Sequence, residues 1–465
     1  MGVVPSHSHG LSLLTGWLPV TLQVVTALVL VAVVVRRAPQ RWYLLWLPAA
    51  AVAGAGVAVL VRGRLAADGV TDDPAPLALW IWVAVAVTAT LVAVVGWPGA
   101  RWWRRSLAIL AVPLTLLCTG SALNSWVGYF PTVQVAWGAA TAGPMPDQVT
   151  DAQLAAMTAA PTPPVNGALV GVDIPDTASN FAHREEYVYL PPAWFTGTDN
   201  HPALPAVMMI GGEFNTPTDW IRTGNAMSVI NSYAGAHGGS APIVVFVDSG
   251  GTFNNDTECV DGPRGNAADH LTEDVRPYVI SRFGASAAPA SWAVVGWSMG
   301  GTCAADLAVT HPELFGTFVD IAGDLGPMVG DKAQTIARLY GGDAARWAQF
   351  DPLTVLAGHA PYPDTAGWFA NGDGTTAGGT GAGRGNGRPP AAHRPGADGV
   401  RFGGRDSGNQ IQEATQLCTA MTADRITCTQ HTVPGGHTWQ VAATSFADAF
   451  PWVVSRVDGP QPPRS

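Results

Sequence analysis

An α/β domain, built on a mostly parallel sheet with helices on both faces and preceded by four membrane-crossing helices, is the fold predicted by these 465 residues. Three features predict it. Long apolar stretches crowd the first 130 residues, short β-rich runs alternate with helical segments after residue 165, and one Gly-x-Ser-x-Gly string stands at a strand-to-helix junction.

The apolar stretches cover about 11–35, 42–61, 77–97 and 107–127. Each is long enough to cross roughly 30 Å of hydrocarbon at about 1.5 Å per residue. No Lys or Arg precedes Arg36, so the first stretch lacks the basic leader of a cleaved signal and reads as a retained span. Arginine placement sets an orientation, because short cytoplasmic loops concentrate positive charge. Arg36, Arg37 and Arg41 follow span one, and Arg101, Arg104 and Arg105 follow span three. The loop between spans two and three has only Arg62 and Arg64, beside Asp68, Asp72 and Asp73. Both ends of the membrane region, and the domain after it, are therefore expected outside the cytoplasm. Residues 1–130 carry 8 Arg against 3 Asp, leaving 16 basic and 31 acidic residues for the remainder. So acidic a body argues against nucleic acid as a partner.

Cysteine usage agrees with an oxidising compartment. Cys118 lies in span four, and the remaining four, Cys259, Cys303, Cys418 and Cys428, allow two disulfides. The expected pairs are Cys418–Cys428, by proximity, and Cys259–Cys303, because both should sit near the top of the sheet.

Residues 131–165, rich in Ala, Pro and Thr, read as a linker, and 166–455 as the α/β domain. Its expected strands are EYVYL (186–190), AVMMI (206–210), IVVFVD (243–248), SWAVVGW (291–297), GTFVDIAG (316–323), GWFAN (367–371) and RITCTQHTV (425–433). Thirteen glycines between Asn371 and Asn409 mark a flexible insert at about 374–409, and 456–465 reads as a disordered tail.

Gly296-Trp297-Ser298-Met299-Gly300 follows the strand SWAVV and opens a helix, a junction that lifts the serine hydroxyl above the sheet edge and marks Ser298 as a nucleophile. His437, in Pro434-Gly435-Gly436-His437-Thr438-Trp439 beyond the last strand, is the expected base, in preference to His311, His359, His393 and His431. Asp373, after GWFAN, is the preferred third member, with Asp324 and Asp364 as competitors. The amides of Met299 and of Glu213, in the loop Gly211-Gly212-Glu213-Phe214, are the expected oxyanion donors, with Phe214 next. Phe214, Trp220, Trp297 and Trp439 are candidate substrate-lining residues.

The elbow GWSMGGTCA, the stretch MMIGGEFN with Trp220 downstream, and PGGHTW together resemble the esterase family that includes esterase D and the antigen 85 mycolyltransferases. The resemblance covers about residues 170–455. It implies an α/β-hydrolase fold and ester chemistry through an acyl-serine, with no metal or organic cofactor, and it carries over Ser298, His437, Met299 and Glu213. The chain departs from the secreted mycolyltransferases in its four spans, its Gly-rich insert and its Gly212-Glu213 loop. The expected activity is that of a membrane-anchored esterase or acyltransferase acting on acyl esters, with lipid or glycolipid of the cell envelope among the candidate substrates. A non-catalytic, membrane-tethered binding or envelope-organising protein on the same scaffold is the alternative.

Overall fold

The computed structural model describes residues 11–35, 40–68, 75–98, 100–141, 143, 145–196, 203–358, 362, 364–375 and 407–458. The chain divides into two compact units, 1–143 and 144–465.

The first unit holds helices α1 (Trp17–Val34), α2 (Leu47–Asp68, entered through a π-helical turn at Trp42–Trp46), α3 (Leu77–Gly96), α4 (Trp102–Val127) and α5 (Val133–Ala140). Four of these segments, Trp17–Val34, Trp42–Ala66, Leu77–Gly96 and Trp102–Val127, are long and apolar enough to cross a membrane. Helices α2 and α3 approach closely at Gly54, where a Cβ would lie 2.4 Å from the Ala84 carbonyl oxygen. Arg104 donates from Nη1 to the carbonyls of Ala32 and Val35 at 3.2 and 2.9 Å, satisfying acceptors that the end of α1 leaves open.

The second unit contains strands β1 (Gln148–Val149), β2 (Ala168–Val172), β3 (Glu186–Leu190), β4 (Ala206–Ile210), β5 (Ile243–Val247), β6 (Asp261–Gly262), β7 (Gly265–Asn266), β8 (Trp292–Trp297), β9 (Thr317–Ile321), β10 (Ala366–Gly372) and β11 (Thr427–Val433). Between and around them run α6 (Asp151–Thr158), α7 (Pro217–Arg222), α8 (Ala226–Ala236) and α9 (Ala267–Asp269), the last continuing through a π-helical turn into α10 (Arg276–Phe283). Further on come α11 (Met299–Thr310), α12 (Lys332–Tyr340), α13 (Ala344–Phe350), α14 (Pro352–Gly358), α15 (Ser407–Ala423) and α16 (Trp439–Val457).

Nine strands form one sheet in the order β1-β2-β3-β5-β4-β8-β9-β10-β11, parallel from β5 to β11, with β6 and β7 a separate hairpin. The parallel strands β4, β5, β8 and β9 are buried along their whole length, as mainly apolar runs require when helices cover both faces, and β9 buries Thr317 and Asp320 with them. Strand order reverses at β4: the chain passes from β4 to β5 on one side and later to β8 on the other. A crevice must open at the carboxyl ends of β4 and β8, where an open sheet of this kind binds its ligands. Ile210 pairs with Gly296 in register, so the loop after β4 and the elbow after β8 leave the sheet at the same level.

The stretch 131–165 is more than the expected linker. It contains α5, edge strand β1 and α6, and α6 is closed by a Thr150–Gln153 capping box and buries Leu154 in the main core. Most of the expected insert, 376–406, and the end of the expected tail, 459–465, lie outside the described residues. Residue 457 still belongs to α16 and is buried. Both disulfides join the expected partners, Cys259–Cys303 and Cys418–Cys428, and Cys118 is a buried free thiol.

Candidate active site

The elbow is possible only with the residues found there. Ser298 has φ 59° and ψ −126°, a conformation that a side chain disfavours, and its amide is held by the Ile321 carbonyl of β9 at 2.8 Å. A Cβ on Gly296 would come within 1.7 Å of the Gly300 carbonyl oxygen. One on Gly300 would lie 2.4 Å from the Ile210 carbonyl oxygen at the end of β4. The glycines let the strand fold directly onto the helix and the helix onto the next strand.

Ser298 Oγ lies 2.9 Å from Nε2 of His437, a hydrogen bond between groups 139 residues apart in sequence. His437 stands on the loop between β11 and α16, its ring stacked on Trp297 at 5.2 Å. Its loop is latched to the end of β10: Gly374 donates to the Gly435 carbonyl at 2.8 Å and the Gly435 amide donates to Asp373 Oδ1 at 3.0 Å.

That latch corrects the expectation for Asp373. The carboxylate is exposed, and its Oδ1 accepts from the amide and hydroxyl of Thr375 as well as from Gly435. The Thr375 hydroxyl and the two amides hold it below the usual carboxylate range. Asp373 thus braces the histidine loop. The far nitrogen of His437 instead faces Gln410 of α15, a buried amide 3.3–3.4 Å from Nδ1. Gln410 Nε2 donates to the Ala322 carbonyl at 2.8 Å, which fixes the amide beside the ring while its Nε2 and Oε1 lie 3.3 and 3.4 Å from Nδ1.

Of the competing carboxylates, Asp324 is buried after β9, its amide bonded to Thr302 Oγ1 at 2.9 Å, while exposed Asp364 precedes β10 and so belongs to the opposite edge of the sheet. Glu413, one turn beyond Gln410, is pushed up to about 8 by burial and by the charge of Asp324. Asp320 is pushed up to about 7, chiefly by burial. Of the other histidines, His311 ends α11 beside Glu313 and His431 lies by Asp448, whereas His359 and His393 fall outside the described residues.

The loop after β4 reaches Ser298. A Cβ on Gly212 would be 3.2 Å from Ser298 Cβ. Its amide is bonded to Asn215 Oδ1 at 2.8 Å, and the next residue, Glu213, is buried at the crevice, while Met299 opens α11 directly after the serine. Phe214 is half-buried against Phe253, whose ring is 69% exposed, so this pair faces solvent at the rim. Trp220 and Trp439 do not: each is 1% exposed, they meet edge to face at 5.2 Å, and Trp220 donates to the Ile210 carbonyl. These two are core, and Trp297 is buried between Trp439 and His437.

Among the described residues, one group has side chains close enough to hold a metal: His183, Glu186 and His270. Both ring nitrogens of His183 face carbonyls, Ile174 at 2.7 Å and Arg184 at 2.9 Å, which requires two N–H donors and leaves no lone pair for a cation. Burial opposes that charge, yet the Arg184 carbonyl and the Glu186 carboxylate outweigh it and raise the His183 pKa. In the cluster His183 donates to two carbonyls and stands 3.8 Å from Glu186, which also meets His270 at 3.2 Å. Sequence reasoning gave no role to Gln410 or Arg184, which stand in no motif, nor to Asn215, which closes the stretch MMIGGEFN.

Comparison with known proteins adds the family. The model described as "Putative esterase" matches residues 182–453. An uncharacterised protein of Corynebacterium glutamicum is 27% identical over 363 residues, covering 75% of this chain and 76% of its own. Among solved structures, an S-formylglutathione hydrolase from Agrobacterium tumefaciens is 17% identical over 63% of this chain and 97% of its own, with TM-score 0.45. A fluorophosphonate-binding serine hydrolase of Staphylococcus aureus is 16% identical over 62% and 99%, with TM-score 0.45. MPT51 of Mycobacterium tuberculosis is 16% identical over 62% and 99%, with TM-score 0.40. With more than half of its length matched by the family model, and with a serine elbow and histidine in bonding contact, the chain belongs to the esterase family and its second unit is an ester hydrolase of the α/β kind.

Proposed function

We propose that the chain is a membrane-anchored serine esterase or acyltransferase whose catalytic unit lies outside the cytoplasm and acts on acyl esters of the cell envelope. The observation that carries the catalytic part is the 2.9 Å contact between Ser298 Oγ and His437 Nε2 at a strained elbow. His437 takes the hydroxyl proton as Ser298 attacks the ester carbonyl. The Met299 and Glu213 amides receive the oxyanion, and His437 then protonates the departing alcohol. Water or an acceptor hydroxyl, deprotonated by the same imidazole, releases the acyl group from Ser298. Gln410, facing Nδ1, holds the ring in place for this cycle. Phe214, at the rim, is the aromatic that meets the acyl portion.

The extracytoplasmic placement is supported by the six arginines on the cytoplasmic loops against two between spans two and three, and by the two disulfides. No metal or organic cofactor enters the cycle.

A fluorophosphonate probe tests the chemistry. Wild type should be labelled at Ser298, and Ser298→Ala and His437→Ala should each lower turnover of p-nitrophenyl acetate by several orders of magnitude. A Ser298→Ala preparation as active as wild type, once freed of contaminating esterases, would sink the reading. For the location, protease added to intact cells should degrade the domain beyond residue 165; protection until the membrane is breached would reverse the orientation. Incubation with lipid esters, with and without acceptor alcohols, separates hydrolysis from transfer by the mass of the group left on Ser298.

A further inference from the structure

The loop after β4 must hold still for its amides to serve a developing oxyanion, yet it is a bend between a strand and a short helix with two glycines in it. What fixes it lies two strands away. Asn215 clamps the bend from both sides: its Oδ1 accepts from the Gly212 amide at 2.8 Å and its own amide donates to the Gly212 carbonyl at 3.0 Å. The carbonyl of Asn215 in turn accepts from Arg184 Nη2 at 2.8 Å.

Arg184 precedes β3, on the far side of β5 from the loop it touches. Its guanidinium is gripped by Asp248 at the end of β5, with Nε donating to Oδ2 at 2.9 Å, Nη2 to Oδ1 at 2.6 Å, and the Arg184 amide to Oδ2 at 2.7 Å. The Asp248 carboxylate is nearly fully buried, and its Oδ1 also accepts from the amides of Gly250 and Gly251 at 3.2 and 3.1 Å. The Asp248 amide donates to Glu186 Oε1 at 2.8 Å. Every link is a charge-assisted or main-chain hydrogen bond, and the run ends on the glycine packed against the nucleophile.

We propose that Arg184, locked by Asp248, is the positioning residue of the oxyanion loop, acting through Asn215 on Gly212. This rests on the ester reading of Ser298. The ion pair is neutral as a whole, so its effect is placement rather than added positive potential at the oxyanion. Lysine cannot replace it, since one ammonium lacks the planar fork that bonds the carboxylate twice and still reaches a third acceptor. A loop displaced by about an ångström loses on the order of 10²-fold in rate, because the oxyanion forms only in the transition state, whereas a short acetyl ester makes little use of the Phe214 rim in the ground state.

The test uses the full chain in detergent, with p-nitrophenyl acetate as substrate, an alkyl trifluoromethyl ketone as oxyanion-forming inhibitor, and fluorophosphonate labelling. Arg184→Ala and Arg184→Lys should lower kcat by about 10- to 10²-fold with KM changed less than about threefold, and weaken the ketone in step with kcat/KM. Millimolar guanidinium chloride should recover part of the Arg184→Ala loss. Should Arg184→Ala fail to fold, Asn215→Leu carries the same expectation on a half-buried loop residue, with Asn215→Asp, which keeps an Oδ1 acceptor, recovering most of the rate. A fall in the unfolding midpoint with kcat and ketone affinity unchanged would overturn the positioning role. Failure of wild type to react with the fluorophosphonate would overturn the ester reading itself, and this proposal with it.

Discussion

Gly300→Ala is the substitution whose consequence the packing at the elbow defines most closely. The added Cβ would lie 2.4 Å from the Ile210 carbonyl oxygen and 2.6 Å from that of Gly211, both of them main chain at the end of β4. A Cβ hardly ever approaches a neighbour closer than 3.0 Å, so α11 and the end of β4 must part by about 0.6 Å. Overpacking of this kind costs roughly 1–3 kcal/mol, offset in part by up to ~1 kcal/mol of better helix propensity. The more telling effect is on catalysis. The displaced peptide leads into the loop bearing Glu213, while Ser298 and His437 are attached to β8 and β11 and can keep their contact. Since about an ångström of misplacement costs on the order of 10²-fold, kcat should fall by about 10- to 10²-fold, with fluorophosphonate labelling slowed but still confined to Ser298. Stopped-time hydrolysis of p-nitrophenyl acetate and a urea titration measure the two effects. A variant with wild-type kcat and an unfolding midpoint raised above wild type would refute the packing argument.

Three further outcomes follow from other parts of the unit. Asp373→Asn, which keeps an oxygen acceptor for Thr375 and Gly435, should stay within a few-fold of wild type, whereas Gln410→Leu, which removes the amide facing His437 Nδ1, should lower kcat/KM by at least tenfold; pH–rate profiles of both check this, and the reverse order would restore Asp373 as the acid. Replacing Cys259 and Cys303 by Ala should lower the free energy of unfolding by about 4 kcal/mol and replacing Cys418 and Cys428 by about 3 kcal/mol, because the first pair closes a separation of 44 residues and the second one of 10. Equal losses in denaturant titrations would contradict the loop-closure account. Glu413, pushed up to about 8, is protonated when folded but ionises near its ordinary value when unfolded, so its contribution is full at low pH and lost as pH rises through about 8. Glu413→Gln, which retains the Asn409 contact, should flatten the decline in melting temperature between pH 5 and 8; an unchanged slope would assign that decline elsewhere.

The legible parts of the sequence were those written locally. Strands β4, β5 and β8 are continuous apolar runs, β3 and β9 are broken only by Glu186 and by Thr317 and Asp320, and Ser298 and His437 each stand among glycines that a turn demands, so chain order sufficed to bring them together. The edge was harder: β1 and β2 border a helix within what composition marked as a linker, because a two-residue strand has no pattern of its own. The neighbour of Nδ1 was unreadable for a different reason. Gln410 enters on α15 after the long Gly-rich stretch, which erases any count from β10, and a glutamine in an ordinary helix bears no mark of its use. Trp220 and Trp439 were misplaced because composition does not say on which side of a strand end an indole lies; here both turn inward, and Trp439 packs on the Trp297 ring that stacks on His437. Arg184 bonds residues 31 and 64 positions away, and a single arginine before a strand carries no trace of that.

The backbone of Ser298 also bears on how such a unit evolves. A serine at φ 59° and ψ −126° sits where glycine would rest without cost, and holding it there takes roughly 1–3 kcal/mol from the fold. The amide bond to Ile321 would be kept by a glycine, so the strain belongs to the side chain alone. Ser298→Gly should therefore yield a protein that is catalytically dead and thermally tougher, and in a lineage relieved of its chemistry, drift toward glycine at this position would be the easiest route to a sturdier scaffold. A side chain kept against its own backbone is a mark of selection for what its hydroxyl does, and it can be read from a single chain with no relative beside it.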